Sequence, residues 1–327
     1  MLRYTPRNQA RSALAPPGSQ AICHRVTKPT CPTCGSRRAA WSFDKHGRSH
    51  FECRCCRCVY VSPPPTQDEL FALYTRKGDE LGSSLCWRGS RRHCWPLWDR
   101  VLDAIESAIG RNGLLDVGCG GGQFLRFARE RGWSELSGVE LSSSAAEVAR
   151  SASGARVCAT DLMSAALPAA HYSGVTLFDV IEHVPDPASV LRRCATWLRP
   201  GGVIVIGTVH RHGLTMRLLK HRARVVCPPE HLAYFTRDGL RRLLKSAGFG
   251  VASVWCADVF VRDWLCWHSA AVAPNGAERQ RYASAYDRLT NSNALLLAMR
   301  GANAALRALR LGDYITAVAR KEPATAR

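Results

Sequence analysis

Short apolar segments alternate with amphipathic stretches along most of this chain. Apolar runs of about four to eight residues, bounded by glycine or polar residues, predict buried strands. Apolar residues recurring every three or four positions predict helices that pack on those strands. The predicted strands lie near 114–117, 138–141, 157–161, 175–178, 203–206, 251–255 and 314–319, and the predicted helices near 66–74, 92–109, 123–128 and 237–247. This alternation is typical of a doubly wound α/β sheet.

Glycine is concentrated directly after the first of these strands. Positions 118, 120, 121 and 122 are glycine, and a helical segment begins at Gln123. A strand, a glycine loop and a helix form the nucleotide-binding corner of doubly wound folds. A dinucleotide fingerprint beginning at Gly118 requires glycine at 123, and the Lys-Ser/Thr pair of a P-loop is absent here. The segment predicts a cofactor site of another kind.

The order Asp116-x-Gly118-x-Gly120-x-Gly122 resembles the first motif of class I S-adenosylmethionine (SAM) methyltransferases. Further matches follow in the order of that family, over about 111–257 and again near 312–320. The resemblance implies a doubly wound, seven-stranded Rossmann-like sheet that binds SAM at the glycine loop.

Three further cofactor-binding candidates lie beyond the loop. Glu140 ends the second predicted strand, 24 residues after Asp116. A carboxylate at that place accepts hydrogen bonds from ribose hydroxyls. The resemblance places Asp161 near the adenine amino group and adds Phe178, at the end of the fourth strand, to the cofactor pocket.

Composition narrows the class of protein. A hydrophobic content of 46% in 327 residues excludes wholesale disorder and allows one large domain with a small one beside it. The sequence has no apolar run of about 18 residues, so we expect no transmembrane helix. Residues 1–24 lack the apolar core of a secretory signal and are expected to form a disordered tail.

The formal charge of +19 favours anionic partners, nucleic acid among them. The basic residues, however, are mostly arginines spread over the whole chain, and no single stripe dominates. A nucleic-acid partner therefore stays an alternative and is not the favoured interpretation.

Cysteines are clustered near the amino terminus. Of 15 cysteines, seven fall within residues 23–58. This clustering predicts a metal site in a reducing compartment, which we take to be the cytoplasm. Cys31 and Cys34 form one C-x-x-C pair, and the second is either 53/56 or 55/58. Two such pairs about 20 residues apart predict a four-thiolate zinc ribbon, with buried free thiols as the alternative.

The family resemblance extends to this module, because related chains carry such a ribbon ahead of the methyltransferase domain. Alignment on Val59–Pro63 implies the ligands Cys31, Cys34, Cys53 and Cys56. It also places Arg57 where the family has glycine. His24 and His50 are interpreted as surface residues.

The chain is thus predicted to contain six segments. They are a tail (1–24), a zinc-ribbon-like module (25–65), a helical cover (66–110), the SAM-binding core (111–257), a helical insertion (258–311) and a last strand with its tail (312–327). The insertion is expected to contain two helices and to act as a lid or as a homodimer contact near the acceptor pocket.

Three histidines stand where loops leave the ligand-binding edge of the sheet: His183 after the fourth strand, His210 after the fifth, and His231 before the predicted 237–247 helix. An imidazole with a pKa near 6.5 suits a general base, and His183 is our first choice. Asp179-x-x-Glu182-His183 is also similar to the divalent-metal motif of ubiquinone-biosynthesis O-methyltransferases. A base, a metal ligand and a structural role all stay open for His183.

The sequence therefore predicts a SAM-dependent methyltransferase that acts on a small molecule, lipid or glycan, most readily at oxygen. One alternative is an RNA methyltransferase that binds RNA through its ribbon and basic surface. Another is a non-catalytic SAM-binding module, and the intact Asp116, Glu140 and Asp161 argue against it.

Overall fold

The computed structural model describes residues 29–82, 94–257 and 293–323. The predicted tail at 1–24, together with His24, lies outside the described residues, as do residues 258–292 of the predicted insertion.

The strands alternate with helices through most of the described chain. The strands are β1 (Ala39–Lys45), β2 (Arg48–Cys53), β3 (Val59–Val61), β4 (Leu114–Val117), β5 (Leu136–Glu140), β6 (Arg156–Ala159), β7 (Tyr172–Phe178), β8 (Leu198–Val209), β9 (Ala233–Tyr234), β10 (Phe249–Ala257) and β11 (Tyr314–Lys321). The helices are α1 (Gln67–Gly82), α2 (Trp95–Ile109), α3 (Gln123–Glu130), α4 (Ser143–Ser153), α5 (Pro187–Trp197), α6 (Leu214–Leu219), α7 (Arg237–Ser246) and α8 (Asn293–Leu309). Short 3₁₀ turns occupy Ile181–His183 and Lys220–Arg222.

Seven strands form the larger sheet, in the order β10-β11-β8-β7-β4-β5-β6. Strand β11 runs antiparallel to both of its neighbours, while β4 to β8 pair in parallel. This confirms the predicted doubly wound seven-stranded sheet. The chain moves outward from β4 to β6 on one side and from β7 to β8 on the other. Ligands bind at such a switch point, beyond the carboxyl ends of the strands.

The helix before the sheet shows how the apolar pattern sets the packing. Helix α2 has a proline in its first turn and ends at Gly110, whose N–H donates to the Glu106 carbonyl oxygen. Its apolar stripe is buried, as predicted, at Trp98, Val101, Leu102 and Ile105. Ile105 lies so close to Gly174 of β7 that a Cβ there would stand 2.8 Å from the Ile105 Cδ1. The stripe is therefore core packing against the sheet.

A second, four-stranded sheet has the order β1-β2-β3-β9. Its first three strands come from the cysteine-rich module, and β9 comes from the segment that follows β8. The module and the methyltransferase core thus share a sheet.

The last part of the chain returns to the larger sheet. Helix α8 precedes β11, which fills the place between β10 and β8. Within the described part of the chain, no helix combines the length and the apolar character needed to cross a membrane.

Candidate functional site

The glycine loop after β4 is held tightly against neighbouring elements. The N–H groups of Gly118 and Cys119 donate to the Val139 carbonyl oxygen at 2.7 and 3.1 Å. A Cβ at Gly118 would lie 2.5 Å from Val180 Cγ2, and one at Gly122 would lie 2.8 Å from the Ala149 Cα. Gly118, Gly120 and Gly122 have φ values of +69°, +52° and +75°. These φ values and close contacts require glycine. Because glycine has no side chain, a ligand can also approach the main chain of this loop closely.

Asp116 lies beneath this loop, in the interior of the sheet. Its side chain is buried and accepts a hydrogen bond from Thr176 Oγ1 at 2.7 Å. Burial raises the pKa of the Asp116 carboxyl to about 7. The residue is placed to support the loop from below.

Glu140 joins the end of β5 to the glycine loop. One carboxylate oxygen accepts from the Gly120 N–H at 2.9 Å, and the other accepts from the Ser142 N–H at 3.0 Å. Each carboxylate oxygen can accept more than one hydrogen bond, so the pinned carboxylate retains capacity for two ribose hydroxyls. The residues present therefore fit SAM at this corner.

The other two cofactor candidates flank the same edge of the sheet. Asp161 follows β6, is exposed, and accepts from the Met163 N–H at 2.8 Å. Phe178 ends β7 half-buried, and its ring meets that of Phe124 edge-on at 5.0 Å. Both lie at the carboxyl ends of strands, on the side where the loop turns.

Four cysteines of the amino-terminal module converge. Ligand atoms of Cys31, Cys34, Cys53 and Cys56 all lie within 4.8 Å of one another. The Sγ distances are 3.6 Å for Cys31–Cys56 and for Cys34–Cys53. Tetrahedral zinc with bonds of about 2.3 Å sets sulfur atoms about 3.8 Å apart. These residues fit a zinc ion.

The two cysteine pairs have the same backbone geometry. Gly35 N–H donates to Cys31 O and Arg57 N–H to Cys53 O, each at 2.9 Å. The residue after each pair is left-handed, with φ +70° at Gly35 and +62° at Arg57. Cys55 is exposed and contacts Ser36, while Cys58 is buried against Thr236. The fold therefore supports 53/56 as the second pair, with Arg57 in a glycine conformation.

The interpretation of His50 as a surface residue is wrong. Its side chain is fully buried on β2, stacked on Phe43 with ring centroids 4.3 Å apart, and it faces Tyr234 at 6.1 Å. Burial lowers the pKa of His50 to about 4, so the ring is neutral. Its place is in the apolar contact between the module and β9, which a single-strand pattern does not reveal.

Two of the three candidate histidines meet at the exit of β7. The rings of His183 and His231 form an edge-to-face pair with centroids 4.7 Å apart. The Nδ1 atom of His183 lies 2.8 Å from the Glu230 carbonyl oxygen, and that of His231 lies 2.7 Å from the Val225 carbonyl oxygen. Because a carbonyl oxygen only accepts, each Nδ1 carries a proton that it donates to that oxygen.

A buried carboxyl group adjoins this histidine pair. Glu182 is fully buried, and neither of its carboxylate oxygens has a hydrogen-bond partner of normal geometry among the described residues. Burial, with the negative charge of Asp179, raises the pKa of Glu182 well above its ordinary value. Ligand atoms of Glu182, His183 and His231 lie within 4.8 Å of one another.

His210 lies apart from this group. It is buried at the end of β8, and its Nδ1 is 2.8 Å from the Gly312 carbonyl oxygen. Burial lowers the pKa of His210 to about 4. This environment suits a structural histidine that joins β8 to the segment before β11, and it does not favour the predicted role as a base.

Tyr74 is a site residue that sequence reasoning missed. Its hydroxyl lies 2.9 Å from His183 Nδ1 and 3.4 Å from the Glu230 carbonyl oxygen. It belongs to α1, in the predicted helical cover, and lies 109 residues before its histidine partner. In the sequence it resembles any apolar-face residue of that helix, so no local signal could have marked it.

The chain was compared with known proteins. A family model described as "Methyltransferase domain" matches residues 90–254. Ubiquinone biosynthesis O-methyltransferase of Chromobacterium violaceum is 30% identical over 172 residues, which are 49% of this chain and 73% of the relative. The enzyme of the same name from Ralstonia nicotianae is 40% identical over 119 residues, covering 34% of this chain and half of that protein.

Solved structures show the same fold. A SAM-dependent methyltransferase from Thermotoga maritima, described as a possible histamine N-methyltransferase, superposes with a TM-score of 0.50 at 16% identity. The match covers 77% of this chain and all of that protein.

Proposed function

Because the chain belongs to the methyltransferase domain family, we propose that this SAM-dependent methyltransferase methylates a hydroxyl oxygen of a small molecule, lipid or glycan. One arrangement supports the proposal: His183 and His231 meet at the exit of β7, directly beside the glycine loop. Val180, which a Cβ at Gly118 would strike, precedes His183 by only three residues. The relatives over this region carry the name O-methyltransferase, which favours oxygen as the accepting atom.

The cofactor residues have distinct tasks in this proposal. The glycine loop gives the ligand access to the main chain, Glu140 holds the ribose hydroxyls, and Asp161 and Phe178 border the adenine. When bound, SAM supplies an activated sulfonium methyl group. The protein's remaining work is to orient the acceptor, exclude water and remove a proton.

His183 is the proposed base. Its Nδ1 donates to the Glu230 carbonyl oxygen at 2.8 Å, so Nε2 is the ring nitrogen that would accept the proton of the acceptor hydroxyl. The Tyr74 hydroxyl contacts the same Nδ1 at 2.9 Å, and the ring of His231 packs edge-on against that of His183. The base is thus oriented before the acceptor arrives.

Glu182, His183 and His231 also form a donor set that suits a divalent cation, so the two roles must be separated. Elemental analysis of the purified protein separates them. We expect one zinc per chain, held by the cysteines. If the wild-type protein binds a second equivalent of metal and His231→Ala does not, His183 is a metal ligand at this site and not a base.

The proposed activity is tested by transfer of a labelled methyl group from SAM to fractionated cell extract. We expect label in small molecules, lipids or glycans, in a form that resists mild base as an ether does and a methyl ester does not. Label in RNA that is lost on ribonuclease treatment would instead establish the RNA methyltransferase alternative. Absence of label from every fraction, with SAM bound normally, would favour the non-catalytic module.

A further inference from the structure

The segment 227–236 lies between two parts of the molecule. On one side it pairs with the cysteine-rich module, because β9 adds to the sheet of β1, β2 and β3. On its other side it carries Glu230 and His231, which contact His183 at the exit of β7. We call residues 31–61 the ribbon and residues 227–236 the bridging segment.

Leu232 joins the two sides through its own peptide groups. Its N–H donates to the Glu182 carbonyl oxygen at 2.7 Å, and its carbonyl oxygen accepts from the Val61 N–H at 2.8 Å. One buried residue therefore hydrogen-bonds both to the last ribbon strand and to the turn that carries Glu182 and His183. Only Leu232 lies between the ribbon and the turn that carries the proposed base.

The contact is close at the end of the bridging segment as well. Thr236 Oγ1 donates to the Cys56 carbonyl oxygen at 2.6 Å, and the Thr236 N–H approaches Cys58 Sγ at 3.3 Å. A Cβ at Gly239, in the first turn of α7, would stand 2.1 Å from Cys58 Sγ. A side chain there would have to displace Cys58 Sγ, which is buried in the contact between ribbon and core.

The β1–β2 turn of the ribbon reaches the start of the same region. Lys45 Nζ donates to the carbonyl oxygens of His221 and Ala223 at 2.7 and 3.1 Å. His46 Nδ1 lies 3.3 Å from the carbonyl oxygen of Pro228. The ribbon thus forms hydrogen bonds with the segment 221–236 near both of its ends and in its middle.

We infer that the ribbon is a positioning part of the acceptor site, because it holds the bridging segment, and with it His231 and Glu230, in register with His183. This inference rests on the proposed function for its catalytic consequence. Its structural consequence does not depend on any acceptor. Loosening the ribbon is expected to free the bridging segment while the glycine loop, which the ribbon does not touch through these contacts, stays intact.

The test is hydrogen exchange on the full chain of Gly239→Ala, which inserts a methyl group between α7 and Cys58. Gly301→Ala is the matched control, because Gly301 is also a helical glycine and a Cβ there meets nothing within 4 Å. In Gly239→Ala we expect amide exchange over 227–236 to accelerate about tenfold or more, with exchange over 118–128 unchanged. SAM affinity should stay within about twofold, and methyl transfer should fall about tenfold or more, since small displacements of catalytic groups are costly.

The double variant Cys53→Ser/Cys56→Ser loosens the ribbon from its other end and should give the same pattern of exchange. Unchanged exchange over 227–236 in both variants would overturn the inference. So would faster exchange with undiminished methyl transfer, because the ribbon would then hold the segment without serving the reaction. A wild-type protein that transfers methyl to no acceptor, yet shows the expected exchange pattern, would overturn the proposed function and leave the coupling of ribbon and bridging segment supported.

Discussion

The proposed cofactor corner and the proposed acceptor site meet at one sheet edge, yet they are built differently. The glycine loop and Glu140 come from one continuous stretch, 116–142, whose own backbone N–H groups hold Glu140 in place. The acceptor site joins Tyr74, His183 and His231 from three distant segments. The first can form wherever the local βαβ unit folds, whereas the second, as we propose, requires the cover helix, the ribbon and the core together.

The two regions also differ in how they treat buried charge. At the cofactor corner Glu140 accepts two backbone hydrogen bonds, and Asp116 accepts one from Thr176. At the proposed acceptor site Glu182 is fully buried, and neither carboxylate oxygen has a hydrogen-bond partner of normal geometry among the described residues. We expect the better satisfied Glu140 to hold the ligand common to the family and the less satisfied site to receive the variable one.

Removal of the zinc ligands should give the largest effect. Structural zinc contributes about 10–16 kcal/mol of apparent binding energy in small zinc modules, so its ligands are expected to be essential. Cys53→Ser/Cys56→Ser should reduce zinc from one per chain to none, and Cys55→Ser/Cys58→Ser should retain it. Elemental analysis decides this, and zinc retained by the first variant but lost by the second would move the site to 55/58.

Asp116 gives a pH test of the cofactor corner. Burial raises its pKa in the fold from the ordinary 3.8 to about 7. The folded state therefore holds a proton that the unfolded chain releases, and stability should fall as the pH rises from about 4 to about 7. In Asp116→Asn this fall should be absent, leaving the variant more stable above pH 7 by up to about 4 kcal/mol. Chemical denaturation of both proteins across this range measures the difference, and parallel curves would contradict it.

His183 tests the acceptor site alone. Loss of a general base costs about two to four decades in rate, so His183→Ala should transfer methyl at least roughly a hundredfold more slowly. Its SAM affinity should be unchanged. His171→Ala is the control, because His171 precedes the opposite end of the same strand and contacts Glu135 there. Full turnover by His183→Ala would demote His183 to a structural residue and transfer the proposed role to His231.

Glu140 tests the cofactor corner alone. Replacement by Ala removes charge-assisted hydrogen bonds worth about 1.5–3 kcal/mol, so SAM binding should weaken by one to two decades. The control is Glu147→Ala, which removes an exposed carboxylate paired to Arg150 on α4 and should bind SAM normally. Titration calorimetry measures both, and equal affinity in Glu140→Ala would show that the ribose is held elsewhere.

Arg57 gives the smallest expected effect. It occupies the left-handed conformation that Gly35 occupies in the first cysteine pair. A side chain in that conformation costs roughly 1 kcal/mol, so Arg57→Gly should tighten zinc binding by about fivefold. Gly35→Ala should weaken it by a similar factor. Competition with a chelator measures both changes, and a loss of affinity in Arg57→Gly would show that its ion pair with Glu52 matters more than its backbone.

The cofactor corner could be predicted from the sequence because its constraints are local. The glycines at 118, 120 and 122 and the carboxylate at 140 follow from the close backbone path and the ribose, whatever surrounds them. Cys31 and Cys34 were predicted for the same reason. The spacing alone left 53/56 and 55/58 open and the family resemblance implied 53/56, which the equivalent backbone positions of Gly35 and Arg57 now support.

The acceptor site could be predicted only in part. His183 follows a strand and His231 precedes α7, both where loops leave the ligand-binding edge of the sheet, so both were predicted. His210 was predicted by the same rule although it is buried against Gly312. Tyr74 contacts a partner more than a hundred residues away in the chain. Leu232 acts through hydrogen bonds of its backbone N–H and carbonyl oxygen, which its side chain does not indicate. His50 was misplaced because its burial depends on β9, a strand of two residues from another part of the chain.

The central claim is that binding of SAM and removal of the acceptor's proton belong to two separable regions. Two measurements in Glu140→Ala and His183→Ala test it directly: SAM affinity by titration, and the rate of methyl transfer at saturating SAM. We predict that Glu140→Ala loses affinity but recovers most of its rate at saturation, while His183→Ala keeps its affinity and loses its rate. A His183→Ala protein that transfers methyl at the wild-type rate, or that loses SAM affinity as Glu140→Ala does, would contradict the account.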